Sequence, residues 1–108
     1  MKIAALVDDL FFSSKISETA RQVGSEIVFC RSADGVPPDA ARICVDLNAT
    51  TFDALSEIAK LKSTHSAPIV AFLSHVQVDL KRRAETAGAR EVIARSAFVQ
   101  RLPDLLSS

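Results

Sequence analysis

Lys2-Ile3-Ala4-Ala5-Leu6-Val7-Asp8-Asp9 is an apolar run that stops abruptly on two acids. A stretch of this length without polar alternation suits a strand buried on both faces, so a strand is expected over Lys2 to Val7. The device recurs along the chain. Arg42-Ile43-Cys44-Val45-Asp46 is another such run ending on an acid. Pro68 opens a further one, Ile69 to Leu73, which Ser74 and His75 follow directly. Ser25 to Cys30 and Glu91 to Ala94 complete a set of short strands.

Helical patterns alternate with these runs. Ser13 and Ser14 offer capping hydroxyls to a helix whose Ile16, Ala20 and Val23 share a face and which Gly24 closes. Thr50 or Thr51 is expected to cap the next helix, with Phe52, Leu55, Ile58, Ala59 and Leu61 on its apolar side. Val76, Leu80, Ala84 and Ala87 mark a third, ended by Gly88. Ala97 to Leu106 has helical character that Pro103 should interrupt or kink. Between Arg31 and Ala41, Gly35 and the Pro37-Pro38 pair leave room for a loop with at most one helical turn. The order β-α-β-loop-β-α-β-α-β-α implies an α/β fold, a doubly wound five-stranded parallel sheet with helices on both faces. At 108 residues a single domain over 1–108 is expected.

Composition narrows the function classes. Thirteen Lys and Arg balance thirteen Asp and Glu, so no strongly basic surface speaks for nucleic acid. The apolar run at the N-terminus is too short for a signal-peptide core, and none approaches the ~20 residues of a membrane span. A cytoplasmic protein without nucleic-acid or membrane partners is the expectation. Cys30 and Cys44 sit inside apolar strands and read as inert buried thiols rather than as a disulfide or zinc pair. If the strand order is 2-1-3-4-5, strand one lies between them and they cannot bond. Only three glycines are present, and no Gly-rich phosphate cradle points to a nucleotide or flavin.

In open α/β sheets the crevice lies beyond the carboxyl ends of the strands. Asp8 and Asp9 end strand one, and Asp46, Ser74 and Arg95 follow strands three, four and five. All converge on one sheet edge. Three carboxylates there raise each other's pKa unless a cation intervenes. Mg²⁺ is one candidate cation, since it prefers carboxylate and carbonyl oxygens. Arg95 is the other, its guanidinium matching a carboxylate fork.

This ordered pattern resembles the receiver domain of bacterial two-component response regulators, over essentially the whole chain. The resemblance rests on Leu6-Val7-Asp8-Asp9, on Asp46-Leu47-Asn48 through Phe52-Asp53-Ala54-Leu55, on Ser74, and on Ala87-Gly88-Ala89 with Arg95 six residues on from that turn. It implies a flavodoxin-like, chemotaxis-response-regulator-like sheet of order 2-1-3-4-5, here with helix 2 reduced or missing. It implies that Asp9 and Asp46 bind Mg²⁺, with Asp8 helping through water and Asn48 through its backbone carbonyl. Asp46 would accept a phosphoryl group, and Ser74 and Arg95 would contact it. A histidine kinase or small phosphodonor and a downstream protein are the implied partners, and a monomer or weak dimer the implied state. The chain departs from the pattern at Arg95, where the family has lysine, and at Ser96, where proline is usual. Val92 replaces a switch aromatic, and Thr50-Thr51 replaces Pro-Gly.

Two functions are therefore expected in order. The first is a stand-alone signalling module with Mg²⁺-dependent phosphoryl acceptance at Asp46. The second is a phosphorylation-independent interaction domain in which Arg95 forms a salt bridge to Asp46 or Asp9. Enzymatic hydrolysis has no visible substrate-binding region behind it, and an enzyme is not expected. His75 should point away from Ser74, as neighbours in extended chain do, so no acid–base pair is expected there. Lys81, Arg82, Arg83 and Arg90 read first as a solvated face balanced by Asp79 and Glu85, and second as a docking site for an acidic surface. Of Phe11 and Phe12, one should enter the core and the other remain partly exposed near the acids.

Overall fold

The apolar runs form five strands, β1 (Lys2–Leu6), β2 (Glu26–Cys30), β3 (Arg42–Asp46), β4 (Ile69–Leu73) and β5 (Glu91–Ala94). The computed structural model describes residues 1–74 and 77–107, so His75, Val76 and the readings attached to them lie outside the described residues. The strands pair in parallel in the order β2-β1-β3-β4-β5. Helices α1 (Leu10–Gln22), α2 (Ala54–Thr64), α3 (Val78–Ala87) and α4 (Arg95–Ser107) make the connections and the last element. This is the doubly wound, flavodoxin-like sheet expected from the sequence.

Successive strand residues face opposite sides of the sheet, so one sheet divides the core in two. Ile3, Ala5, Cys44, Val70 and Phe72 pack against Phe12, Ile16 and Ala20 of α1 and Phe98, Leu102 and Leu106 of α4. Ala4, Leu6, Ile43, Val45 and Ala71 pack against Ile58 and Leu61 of α2 and Ala84 of α3. Every residue of β4 is buried, which is why that run carries no polar side chain.

The helix between β2 and β3 is missing. A single 3₁₀ turn, Ala33–Gly35, replaces it, as the glycine and paired prolines foretold. Ala33, Val36 and Ala40 from this connection still fill the core. The connection is tied to α2 at both ends: the Ala33 amide donates to Glu57 Oε1 at 2.7 Å, and the His65 Nε2 lies 3.1 Å from the Val36 carbonyl oxygen.

Several helix boundaries differ from expectation. Asp9, not Ser13 or Ser14, caps α1, its Oδ1 accepting from the Phe12 amide at 3.1 Å. A carboxylate there meets both an unpaired amide and the positive end of the helix dipole, which a serine further along cannot. Asp53, not Thr50 or Thr51, caps α2, and Phe52 stands before that cap while still packing on the core. Helix α4 begins at Arg95, directly after β5, and continues through Pro103. Pro103 lies on the exposed side, and Phe98, Leu102, Leu105 and Leu106 bury the opposite face. Cys30 and Cys44 are free and buried, with β1 between their strands: Leu6 pairs with Cys30, and Ala5 with Cys44. Burial pushes the Cys44 thiol up to about 12, consistent with an inert group.

Gly88 caps α3 at φ +134°, and a Cβ there would meet the Cβ of Lys62 on α2 at 2.7 Å. Gly24 has φ +76° but open space around it. Gly88→Ala is therefore expected to lower the free energy of unfolding by about 2–3 kcal/mol, against about 1 kcal/mol for Gly24→Ala. Urea denaturation of the two variants checks this. Equal losses would mean that the α2–α3 approach at Lys62 imposes no constraint.

Candidate functional site

The parallel register puts the carboxyl ends of β1, β3, β4 and β5 on one edge, and the polar residues that end these strands gather there. Asp46, the last residue of β3, is only 1% exposed. Burial raises its pKa above the ordinary value, and the nearby Asp8 and Asp9 push the same way. The Asn48 amide and Arg95 oppose them. Asp46 Oδ1 accepts from the Asn48 amide at 2.9 Å, and Arg95 Nη2 donates to Oδ2 at 3.2 Å.

Arg95 also lies within ion-pair distance of Asp9, with Nη1 to Oδ2 at 3.6 Å. Its guanidinium carbon stands 4.7 Å from the centroid of the Phe12 ring. That ring stacks on Phe72 and Phe98, whose own centroids are 4.2 Å apart. One cation thus joins the end of β3, the cap of α1 and the start of α4. Among the described residues the Arg95 Nε is buried with no hydrogen-bond partner.

Asp8 is spent elsewhere. Its Oδ2 accepts from the Thr50 and Thr51 amides at 2.8 and 3.0 Å, and both hydroxyls lie within 3.4 Å. These donors, the Thr50 amide foremost, hold its pKa below the ordinary value. The Asn48 side chain is engaged: Oδ1 accepts from the Ser74 amide at 2.6 Å, and Nδ2 donates to Gln77 Oε1 at 3.0 Å. The loop after β3 is thereby tied to the segment between β4 and α3.

The structure therefore brings together Asp9, Asp46 and Arg95 directly, and Asn48 with Ser74. Asp8 adjoins them but is turned to the threonines. Sequence reasoning missed Thr50, Thr51, Gln77 and Phe12 as parts of the site. Only the proximity of Thr50-Thr51 to the Asp46 loop hinted at the first two. A divalent cation held by Asp9 and Asp46 would have to displace Arg95 from their Oδ2 atoms. The outward oxygens of Asp9 and Asp46 face Arg95, and among the described residues no three His, Cys, Asp or Glu side chains are grouped to hold a metal ion. Phe11, 91% exposed, and buried Phe12 divide as expected. A cleft of about 540 Å³ lies at the opposite sheet edge, lined by Lys62, Glu85, Gly88 and Arg90, far from these acids.

The sequence matches no protein-family model and no curated protein. The backbone, by contrast, superposes on many solved receivers. A response regulator from Burkholderia pseudomallei, with a phosphorylated aspartic acid, calcium ion and citrate, aligns with TM-score 0.82 at 20% identity, over 97% of this chain and 65% of that one. The BeF₃-activated N-terminal receiver domain of Klebsiella pneumoniae RstA aligns at TM-score 0.79 and 17% identity over 100% of both chains. This chain has the response-regulator receiver fold. A response regulator from Thermotoga maritima aligns at TM-score 0.74 and 13% identity, over 99% of this chain and 98% of that one. Receiver architecture is thus retained at an identity where few side chains need agree, and with no α-helix between β2 and β3 the described residues form four α-helices around the sheet. Among the described residues no helix is long and apolar enough to cross a membrane.

Asp8 and Asp46 titrate in opposite senses. Folding lowers the Asp8 pKa, so its stabilisation is present above the ordinary value of 3.8 and is lost as pH falls through the lower folded value. Asp8→Asn should cost about 1 kcal/mol at pH 7, a figure kept small by solvent screening, with the deficit closing toward pH 3. Folding raises the Asp46 pKa from 3.8, so its carboxylate costs stability as pH rises through the folded value. The gap between wild type and Asp46→Asn should therefore move in the Asn variant's favour over that interval. Urea melts between pH 3 and 7 measure both, and a pH-independent Asp8→Asn deficit would contradict the threonine pairing.

Proposed function

We propose that this chain is a receiver-like protein-interaction domain that works without phosphorylation, its acidic crevice held in one state by Arg95. The observation that carries this reading is the ion pair that Arg95 shares between Asp46 and Asp9. Phosphoryl transfer to a carboxylate needs that carboxylate free and its charge neutralised together with the incoming group. Here a resident cation already neutralises it. The cation is fixed as the first residue of α4 and by its seat on Phe12. Lysine, a flexible point charge, can swing aside, whereas a planar guanidinium bridging two carboxylates gives up more contacts to do so. The hydrogen bond from the Ser74 amide to Asn48 Oδ1 also ties the loop after β3 to the end of β4. On this reading the domain is not an enzyme, needs no Mg²⁺, and acts on a protein partner rather than nucleic acid.

A second reading has its own support. Asp46 stands at the end of β3 with Asp8 and Asp9 near enough to raise its pKa, which is the charge arrangement a divalent cation relieves. The Burkholderia pseudomallei protein with its phosphorylated aspartic acid and calcium ion has this same fold. Under this reading Mg²⁺ would displace Arg95 from Asp9 and Asp46. A histidine kinase or small phosphodonor would then phosphorylate Asp46 for a downstream protein.

Amide NMR during a Mg²⁺ titration, followed by acetyl phosphate and intact-mass measurement, separates the two. The wild-type protein should show no Mg²⁺-dependent shifts around Asp46 at millimolar Mg²⁺ and no gain of a phosphoryl group. Arg95→Ala should lose about 2 kcal/mol of stability, because buried Asp46 is left without its counter-ion, and should acquire Mg²⁺ binding. Phosphorylation of wild-type Asp46 would overturn the latched reading.

A further inference from the structure

We propose that a groove between the first turn of α1, the end of β2 and the loop before α2 docks a protein segment in which a large apolar side chain adjoins a carboxylate. The proposal rests on the reading that this domain acts through a protein partner, and it names that partner's chemistry.

The groove encloses about 440 Å³, and Leu10, Phe29, Phe52, Arg31 and Asp8 are among its walls. Leu10 is 84% exposed and Phe29 41%, and Phe11, next to Leu10, is 91% exposed. Single exposed apolar residues are ordinary on protein surfaces. Here they come from separate elements, and Leu10 and Phe29 face one concavity, which is the pattern of a contact site. Phe29 shares the α1 face of the edge strand β2 with Ile27, whereas the connection that leaves β2 packs Ala33 and Val36 into the core on the other face.

Charge selects the occupant. Arg31 is exposed, lines the groove and makes no ion pair among the described residues. Asp8, the acid on the opposite wall, already has its Oδ2 met by the amides and hydroxyls of Thr50 and Thr51. Asp8 keeps its charge but has donors in place, so Arg31 is the charged wall residue that a carboxylate can pair with. An apolar side chain would displace water from Leu10, Phe29 and Phe52. An adjacent Asp or Glu would pair with Arg31, whose fork accommodates a carboxylate in two-point contact. A segment with lysine in that place would meet repulsion.

Two end-blocked peptides test this, Glu-Leu-Leu-Glu and Lys-Leu-Leu-Lys, titrated into ¹⁵N-labelled protein. The acidic peptide should shift the amides of Leu10, Phe29, Arg31 and Phe52, and the basic one should bind at least about tenfold more weakly. Arg31→Glu should reverse that preference, and Phe29→Ser should weaken both peptides. Both positions are exposed, and unchanged urea midpoints would show that the variants stay folded. Equal binding of the two peptides would overturn the proposal. So would shifts confined to the basic stretch Lys81–Arg83, or no shifts at millimolar peptide. The outcome is separable from that of the latched reading. Groove binding with a phosphorylatable Asp46 removes only the latch, and an unreactive Asp46 with a silent groove removes only the docking site.

Discussion

A buried carboxylate needs a counter-charge, and in this protein Arg95 supplies it to Asp46. The need arises from the sheet: β3 sits in the middle of five strands, so its last residue ends among neighbours rather than in solvent. The cation arrives from β5, two strands away, because α4 starts immediately at Arg95 without a connecting turn. Phe12, stacked on Phe72 and Phe98, then gives the guanidinium a flat surface to rest on. Removing any one of these features would leave Asp46 either exposed to repulsion from Asp8 and Asp9 or unpaired.

The rest of the crevice is arranged around that contact. Asp9 serves twice, since one oxygen caps α1 and the other faces Arg95. Asp8 turns outward to four threonine donors, which stiffens the loop after β3. Asn48 then links that loop to Ser74 and Gln77. Polar groups that would have to move in a phosphorylation switch are each engaged with protein atoms. On the proposed reading, such a crevice suits a docking module better than a two-state device.

Some of this was legible in the chain and some was not. Both glycines that end helices, both prolines of the short connection and every strand could be read from local sequence, because each reflects backbone preference or a run of apolar residues. The convergence of Asp8, Asp9, Asp46, Ser74 and Arg95 also followed, since strand ends in a parallel sheet share an edge. The helix caps were misread. Ser13, Ser14, Thr50 and Thr51 are good capping residues by type. Yet Asp9 and Asp53 hold those positions, each directly before its helix and each accepting from a first-turn amide. The threonines were free to bind Asp8 instead.

The sequence by itself determined the acidic crevice: the order of strands and the acids that end them set its place and its charge. Local patterning suffices for that, because short apolar runs mark strands buried on both faces and parallel strands end on one edge. Only the tertiary structure decided what the acids do with their charge. Arg95 and Asp46 lie 49 residues apart, and Arg95 and Phe12 are further apart still. Their meeting depends on how α1 and α4 pack side by side on one face of the sheet. Whether a carboxylate faces a metal, a guanidinium or a threonine amide is a matter of a few ångströms in that packing, which no run of neighbouring residues encodes.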